Sequence, residues 1–304
     1  MPAVVAIFGP TASGKSATAV ALALRIDGEV VSADSMQVYA GLARLTNQPT
    51  EAERGGVPHH LVGHVDPAEP YDVVRYAADA HAAIDGILAR GRVPIVAGGS
   101  GLYLRAALAD VAFPPQAPPG ERERIEAHVE EVGAAAAHAE LAAIDADAAG
   151  RIEPGDTRRV VRALELAAAG ASLAPADDAL WSQAMRHPTR LFGLQVDRAR
   201  LHRRIDARTP RLLDEGGVDE VRALLGRTPG PSTTAARAHG LDDVRALLEG
   251  GIDRAECERR LAARTRQYAK RQDTWLRKLA HAEVVPADGD PDDVAGVIAE
   301  RLRG

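Results

Sequence analysis

The strongest chemical pattern is a glycine-rich segment near the N-terminus. It reads GPTASGKS and fits the phosphate-binding pattern G-x4-G-K-[ST]. Glycines let backbone N–H groups approach phosphate oxygens, the lysine neutralises their charge, and the final serine hydroxyl can hold Mg²⁺. We expect all eight residues to bind a nucleotide or another diphosphate: Gly9, Pro10, Thr11, Ala12, Ser13, Gly14, Lys15 and Ser16. Only three of the 37 basic residues are lysine, so the lysine at the motif position is not an accident of usage.

Two further polar residues follow strand-like apolar runs. Asp34 comes just after Glu29 to Ser32, and Ser100 comes just after Val93 to Ala97. Ligands in parallel sheets bind at the carboxyl ends of the strands, so both residues should lie at the edge that carries the phosphate loop. From position alone, Asp34 could be a metal ligand, a general base or a helix cap, and Ser100 could bind a ligand or simply complete a turn.

The histidines and the cysteine are interpreted as ordinary residues. His59, His60 and His64 lack an acidic or cysteine partner at ligand spacing, which favours loop or core histidines over a metal site. Cys257 is the single cysteine, so no internal disulfide can form and a cytoplasmic location is expected. The first ten residues resemble a strand and not a signal peptide, and no apolar run reaches the roughly 18 residues of a membrane span.

The elements that must position these residues alternate between strand and helix. Strand patterns are Ala3 to Phe8, Glu29 to Ser32, Val93 to Ala97, Arg190 to Val196 and Glu283 to Val285, and helical patterns include Lys15 to Ile26, Tyr71 to Arg90 and Pro291 to Leu302. We predict an α/β protein with a P-loop NTPase-like parallel sheet core. Four prolines before Gly120 mark a linker, and the alanine-rich stretch beyond it is helical without a strand signal. The predicted divisions are a first part of the core at 1–112, an all-helical insertion domain at 113–187 and a second part of the core at 188–304.

Charge is unevenly distributed along the chain. The net charge is −6, yet Arg186 to Arg211 holds eight basic and two acidic side chains, and Arg254 to Lys278 holds nine and three. Such segments form either a solvated, ion-paired surface or a basic surface for nucleic acid. Composition alone favours the first.

Six motifs in order resemble those of tRNA dimethylallyltransferases, between Ala3 and about Leu279. They are GPTASGKS, ADSMQVY, PHHLVGHVDP, VAGGSGLYLRAAL, RIEPGDTRRVVRALEL and RTRQYAKRQDTWLRKL. The last is the most specific, because a P-loop kinase has no reason to carry it. The resemblance implies transfer of a dimethylallyl group from dimethylallyl diphosphate to N6 of adenosine 37, which lies 3′ of the anticodon in tRNA.

The same resemblance implies roles for individual residues. Asp34 would accept the proton of the N6 amine, and Ser100 would hydrogen-bond the bridging or leaving oxygen. Arg204 or Arg208 would clamp the diphosphate, with Mg²⁺ on Ser16. The residues expected to contact the flipped adenosine or the anticodon stem-loop are Asp34, Ser35, Met36, Gln37, Ser100, Arg122, Arg158, Arg159, Lys270, Arg271 and Gln272. We expect a monomer with no membrane association.

Three positions depart from the family pattern. Ser100 replaces the usual threonine but keeps its hydroxyl, Leu45 to Gln48 lacks a usual lysine, and Leu241-Asp242 replaces a tyrosine and a basic residue. The last two changes predict a weaker or differently tuned tRNA surface. The alternatives are an adenylate isopentenyltransferase, a small-molecule P-loop kinase and a non-enzymatic RNA-binding module. The helical insertion disfavours an adenylate isopentenyltransferase, because a free nucleotide needs no grip on a stem-loop. A small-molecule kinase is disfavoured because the sequence shows no apolar run followed by a metal-binding aspartate other than Asp34. The intact phosphate loop disfavours a non-enzymatic RNA-binding module.

Overall fold

The computed structural model describes residues 3–111, 113, 115, 117–118, 120–173, 184–279 and 281–304. Its strands are β1 (Val4–Phe8), β2 (Gly28–Ser32), β3 (His59–His60), β4 (Val93–Gly98), β5 (Thr189–Gln195) and β6 (Glu283–Pro286). Its α-helices are α1 (Lys15–Ile26), α2 (Glu51–Arg54), α3 (Val73–Ala89), α4 (Gly101–Leu108), α5 (Glu121–Val132), α6 (Ala134–Ile144), α7 (Ala146–Ala149), α8 (Thr157–Ala168), α9 (Arg198–Leu212), α10 (Val218–Leu225), α11 (Leu241–Leu248), α12 (Arg254–Lys278) and α13 (Pro291–Arg303). A π-helical turn at Leu213–Gly217 and a 3₁₀ turn at Ala235–Arg237 complete the described elements.

The six strands form one parallel sheet in the order β3-β2-β4-β1-β5-β6. Strand β1 lies between β4 and β5, and Phe8 at its end is in register with Gly98 and Gly193. The loop that follows β1 therefore starts beside the ends of both neighbours, at the edge where such sheets bind ligands. This sheet confirms the predicted α/β class.

Burial on both faces explains the composition of the central strands. Every residue of β1 and β2 is buried, as expected for parallel strands covered by helices on each side. Helices α1 and α13 pack together on one face, where Leu22, Ile298 and Leu302 meet Ile7 and Leu194 in a shared apolar cluster. This cluster fixes the start of α1, and with it the phosphate loop, relative to the sheet.

One strand escaped the sequence prediction. His59–His60 was interpreted as loop, but it pairs with Val30 and Val31 as the edge strand β3. The pair is held from the side by Glu29, whose carboxylate accepts from His60 Nε2 at 2.7 Å. Two residues between Pro58 and a turn are too short to show any alternation, so the prediction was wrong for lack of a pattern.

The chain divides into two compact units, Met1–Asp110 with Ala184–Gly304, and Val111–Gln183. The regular elements described in the smaller unit are all α-helices, and the unit has its own apolar core, which includes Ile125, Val129 and Leu141. Residues 184–187 belong to the larger unit and not, as predicted, to the helical one. Met185 bridges Ala109, and the backbone N–H of the next residue donates to the carbonyl of Leu108 at 2.9 Å. Within the described residues, no helix combines the length and hydropathy that a membrane span requires.

Candidate active site

The phosphate loop is a tight turn between β1 and α1. Gly14, the residue before α1, has φ 91°, and Ala12 has φ 63°, so two positions adopt left-handed backbone. Glycine takes that conformation without strain, which explains the motif glycine at position 14. The N–H of Ser13 donates to the carbonyl of Pro10 at 3.2 Å, and Lys15 Nζ donates to the same carbonyl at 3.1 Å. The lysine ammonium is thereby held over the loop, beside the unpaired N–H groups at the start of α1.

Three charged groups share this site. The pKa of Lys15 is lowered to about 8: burial is the main cause, the negative charge of Asp34 opposes it, and the positive charge of Arg208 adds to it. These groups are far apart in sequence, at positions 15, 34 and 208, and folding brings them close enough for their charges to interact. A partly desolvated ammonium is poised to gain from an anionic ligand, because a diphosphate would replace the hydration it has lost.

Asp34 begins the loop after β2 and caps its first turn. Its Oδ1 accepts hydrogen bonds from the backbone N–H of Met36 at 2.8 Å and of Gln37 at 3.3 Å. Both of these hydrogen bonds end on Oδ1, so Oδ2 can accept a further proton or ligand. Of the three roles that the sequence allowed, the capping role is therefore present, and the geometry accommodates a second role beside it.

The neighbours of Asp34 differ in how firmly they are held. Ser35 and Met36 are half-buried. The Gln37 amide is engaged at both ends: Oε1 accepts from Ser32 Oγ at 3.0 Å, and Nε2 donates to the carbonyl of Asn47 at 2.8 Å. Gln37 therefore braces the segment at 45–48, where this chain departs from the pattern it resembles.

Ser100 is the N-cap of α4, and its Oγ accepts from the N–H of Tyr103 at 3.5 Å. The strand before it approaches the Asp34 loop closely. A Cβ at Gly98 would lie 2.1 Å from the carbonyl oxygen of Ala33, and the Ala33 N–H donates to the carbonyl of Ala97 at 2.8 Å. The ends of β2 and β4 are thus in backbone contact, which brings the loops of Ser100 and Asp34 to one edge.

Arg204 and Arg208 lie one turn apart on α9 and both reach the phosphate loop. Arg204 Nη1 donates to the backbone carbonyl of Ala12 at 3.2 Å, and Arg208 Nη2 donates to Thr11 Oγ1 at 3.3 Å. Burial lowers the pKa of the Arg208 guanidinium. The bond from Arg204 fixes loop backbone, whereas the bond from Arg208 uses a hydroxyl that a diphosphate oxygen could replace.

Gln272 lies elsewhere than the sequence led us to expect. The resemblance placed it on the tRNA surface, but its side chain is 2% exposed. Its Oε1 accepts from the N–H of Thr11 at 2.7 Å, and its Nε2 donates to the carbonyl of Gly99 at 2.9 Å. The expectation of a direct tRNA contact is therefore wrong for Gln272, because its amide is enclosed between two loops of the core.

Comparison with known protein families supplies an independent assignment. The model of the IPP transferase family matches residues 37–279, and an isopentenyl transferase model matches residues 2–59. The first match alone spans well over half of the chain. The chain belongs to the IPP transferase family.

Individual relatives match this chain over most of their length. A tRNA dimethylallyltransferase of Anaeromyxobacter dehalogenans strain 2CP-1 is 48% identical over 274 residues, which cover 90% of each chain. One from Salinispora tropica is 43% identical and covers 99% of this chain and 92% of the relative. The solved tRNA isopentenylpyrophosphate transferase of Bacillus halodurans has a TM-score of 0.70 at 34% identity and covers 100% of this chain and 97% of that one. A eukaryotic dimethylallyltransferase acting on tRNA gives 0.78 at 28% identity, covering 98% and 77%.

Two residues that the sequence reasoning missed lie near this candidate site. Tyr268 on α12 is half-buried, and burial together with the nearby charge of Asp34 raises the pKa of its phenol. The ring of His239 lies 5.8 Å from the Tyr268 ring, and burial, aided by arginine charges, lowers the pKa of His239 to about 4. Both side chains are therefore uncharged at neutral pH. The available signal was the presence of a tyrosine within the most specific motif of a chain with 3% aromatic residues.

The remaining residues expected at the tRNA differ in how they are engaged: Arg122 is held by two glutamates, and Arg159 lies 3.5 Å from the Asp156 carboxylate. Arg122 donates to Glu126 at 2.9 Å and to the buried Glu165 at 3.2 Å, so it joins α5 to α8 within the helical unit. Arg158 and Arg159 are exposed on α8, and Lys270 and Arg271 are exposed on α12. The Arg271 guanidinium lies 5.6 Å from the Tyr268 ring centre. The exposed four present charge to solvent, whereas Arg122 has a structural engagement.

The described residues contain no metal ligand set built only from protein side chains. Among the described residues, no group of three or more His, Cys, Asp or Glu side chains lies close enough to hold an ion. His60 pairs with Glu29 at 2.7 Å, and His64 lies 4.0 Å from Asp79. Ser16, in the first turn of α1, is half-buried beside the phosphate loop.

Proposed function

We propose that this protein transfers a dimethylallyl group from dimethylallyl diphosphate to N6 of adenosine 37 in tRNA and releases diphosphate. The observation that carries the proposal is the coincidence of two facts. The chain matches a tRNA dimethylallyltransferase over 90% of both chains, and the charges of Lys15, Asp34 and Arg208 interact at the phosphate loop. The prenyl transfer needs positive charge to bind the diphosphate and a nearby carboxylate to accept the proton of the amine.

The donor side of the reaction depends on the phosphate loop and on α9. Lys15 and the N–H groups at the start of α1 bind the diphosphate, and Arg208 releases Thr11 Oγ1 to donate to a diphosphate oxygen. Arg204 keeps its bond to the Ala12 carbonyl and supports the loop from behind. This arrangement favours Arg208 as the residue that clamps the donor. Positive charge here stabilises diphosphate as the bond from C1 of the dimethylallyl group to oxygen breaks.

The acceptor side depends on the loop of Asp34. The exocyclic amine is a weak nucleophile, so a fixed base assists as the bond from N6 to C1 forms. Asp34 Oδ2 accepts the departing N6 proton, while Oδ1 keeps the turn intact through Met36 and Gln37. Ser100 Oγ hydrogen-bonds the bridging or leaving oxygen of the donor. The base must leave the anticodon-loop stack to reach Asp34, so we expect it to be flipped.

The donor set suits Mg²⁺. The Ser16 hydroxyl and the diphosphate oxygens are hard oxygen ligands, and Mg²⁺ typically binds through few protein oxygens, substrate phosphates and several waters. The absence of an all-protein ligand cluster among the described residues agrees with that mode. When bound, Mg²⁺ would offset negative charge on the diphosphate.

The exposed basic residues support recognition of the anticodon stem-loop. Arg158 and Arg159 lie on the helical unit, and Lys270 and Arg271 on α12. Contacts from such residues to phosphate set affinity and make it depend on salt. We expect Ser35 and Met36, which are half-buried beside Asp34, to contact the flipped adenosine. Arg122 would have to exchange its bond to Glu126 for a phosphate.

The alternatives account for less. An adenylate isopentenyltransferase has no use for exposed arginines on a helical unit, and the relatives that cover this chain are named for tRNA. A small-molecule kinase and an RNA-binding module share the phosphate loop or the basic surface, but neither requires both with Asp34. We further propose that the protein is cytoplasmic and monomeric. Size-exclusion chromatography with light scattering would test the monomeric state.

One reaction tests the proposed function. Purified protein is incubated with unmodified tRNA, dimethylallyl diphosphate and Mg²⁺, and the digested tRNA is analysed by mass spectrometry for N6-dimethylallyladenosine at position 37. A parallel reaction replaces tRNA by AMP. Product with tRNA only is the expected result, and product with AMP but not with tRNA would contradict the proposal.

A further inference from the structure

Three glycines lie directly beneath one face of α12. A Cβ at Gly99 would lie 2.0 Å from Gln272 Nε2, one at Gly101 would lie 2.6 Å from Trp275 Cε3, and one at Gly193 would lie 2.3 Å from Leu276 Cδ1. Real side-chain contacts do not come that close, so the helix can occupy this position only because the three glycines have no side chain. The inner face of α12 is therefore seated on the ends of β4 and β5, at the edge that carries the candidate site.

Gln272 makes the polar contacts of this seat. The N–H of Thr11 requires an acceptor and the carbonyl of Gly99 requires a donor, so only one orientation of the amide satisfies both. One side chain therefore spans the phosphate loop and the peptide that precedes Ser100. The N–H of Thr11 is committed to this bond and is not among the loop donors that address a phosphate.

We infer that Gln272 is a positioning residue for the donor: it fixes the separation between the phosphate loop and the Ser100 loop so that both bind the same diphosphate. The inference rests on the proposed function, since Ser100 and the phosphate loop are there assigned to one diphosphate. Its basis is the geometry of two buried hydrogen bonds that join loops 88 residues apart in sequence. No direct contact between Gln272 and tRNA is involved.

Two variants test this role, and a third is the control. Gln272→Met keeps the length of the side chain but leaves the Thr11 N–H and the Gly99 carbonyl without a partner. Gln272→Glu keeps the acceptor for Thr11 but directs a carboxylate at the Gly99 carbonyl. Gln267→Met makes the same change at an exposed position on the same helix. The measurements are the Kd for inorganic pyrophosphate with Mg²⁺ by calorimetry, the donor KM and kcat, and the Kd for tRNA by filter binding.

We expect Gln272→Met and Gln272→Glu to weaken pyrophosphate binding and raise the donor KM by about tenfold or more, the usual effect of an unpaired buried polar group. The Kd for tRNA should stay within about twofold, and Gln267→Met should change neither constant by more than that. Unchanged pyrophosphate binding, or an equal loss of tRNA binding, would overturn the inference. A structural defect alone would lower the binding stoichiometry and the melting temperature without changing the pyrophosphate Kd of the folded fraction, and it too would overturn it.

The readouts separate this inference from the proposed function. If the unaltered protein prenylates no tRNA, the proposed function fails, yet the comparison of pyrophosphate Kd between variants still decides whether Gln272 shapes the diphosphate site. If Gln272→Met does not fold, the isosteric Gln272→Glu variant decides the same question.

Discussion

The replacement of Asp34 by asparagine removes a proton acceptor while preserving the local structure. The capping bonds to Met36 and Gln37 both end on Oδ1, which an asparagine retains. The free energy of unfolding should therefore change by less than about 1 kcal/mol, the typical worth of one such hydrogen bond. What is lost is the carboxylate that can take the N6 proton.

The expected loss of rate follows from that role. General-base catalysis by a positioned side chain contributes about 10²- to 10⁴-fold to the rate, so the kcat of Asp34→Asn should decrease by a factor in this range. A second effect comes from charge. The carboxylate of Asp34 raises the pKa of Lys15, which burial lowers to about 8, so its removal should shift the pKa of Lys15 below 8. Pyrophosphate binding by Asp34→Asn should then weaken at a lower pH than in the unaltered protein.

The assay compares single-turnover formation of N6-dimethylallyladenosine with the Kd for tRNA and the melting temperature. Asp72→Asn is a matched control. Its Oδ1 caps α3 through the N–H groups of Val74 and Arg75 at 3.0 and 2.9 Å, the same two-bond pattern at the same sequence offsets. This control should leave turnover and tRNA binding nearly unchanged.

Two results would refute the reasoning. If Asp34→Asn loses tRNA binding and thermal stability together with activity, Asp34 is a structural cap and not the base. If it retains turnover within about threefold of the unaltered protein, another group removes the proton. The Tyr268 phenol is a poor candidate for that group, because burial raises its pKa.

Further predictions concern pH, stability and the two arginines. Because burial lowers the pKa of Lys15 to about 8, loss of the Lys15 charge should weaken pyrophosphate binding above about pH 8. Calorimetry on Lys15→Arg, which stays charged, should show only the pH dependence that comes from titration of pyrophosphate itself. The pKa of Glu29 is held at about 2, since hydrogen bonds from its arginine and histidine partners outweigh its burial. That group stabilises the fold above about pH 4.5, and denaturant titrations should show up to about 3 kcal/mol lost as pH falls towards 2, with a flatter profile in Glu29→Gln. Arg208→Gln should raise the donor KM and lower kcat by about 10²-fold together, as expected for a lost diphosphate clamp, whereas Arg204→Gln should cost less, about tenfold, with a larger fall in melting temperature; equal kinetic losses would contradict the assignment of Arg208.

Local patterns were sufficient for much of the fold. The predicted bounds of strands β1 and β2, of the helix that starts at Lys15 and of the final helix from Pro291 agree with the structure to within a residue or two. These segments carry their own signals, namely continuous apolar runs, helical periodicity and a proline at a helix start. Strand β3 lacked any such signal, because it has two residues and forms only by pairing with β2.

The end of the helical unit also depended on tertiary contacts. Residues 184–187 have no strong secondary-structure preference of their own, and the bridge from Met185 to Ala109 assigns them to the larger unit. A boundary of this kind is set by which side a segment pairs with, and pairing between positions 76 residues apart leaves no trace in local composition.

The sequence by itself determined the chemistry available to this protein. A phosphate loop with its lysine, and an aspartate and a serine after strands, are properties of residue type and spacing, and the ordered motifs carry the resemblance to tRNA dimethylallyltransferases. These features identify what the side chains can do, because charge, hydrogen-bonding capacity and backbone freedom belong to the residues themselves.

Only the tertiary structure decided how those groups are arranged. It shows that Arg208 donates to a hydroxyl whereas Arg204 donates to a backbone carbonyl. It also shows that Gln272, expected on the tRNA surface, is buried and hydrogen-bonds to both Thr11 and Gly99. On α12, Gln272 and its exposed neighbour Arg271 are adjacent in sequence yet face opposite environments. The direction of each side chain depends on which part of the sheet edge the helix packs against, and that packing involves residues that are remote in sequence.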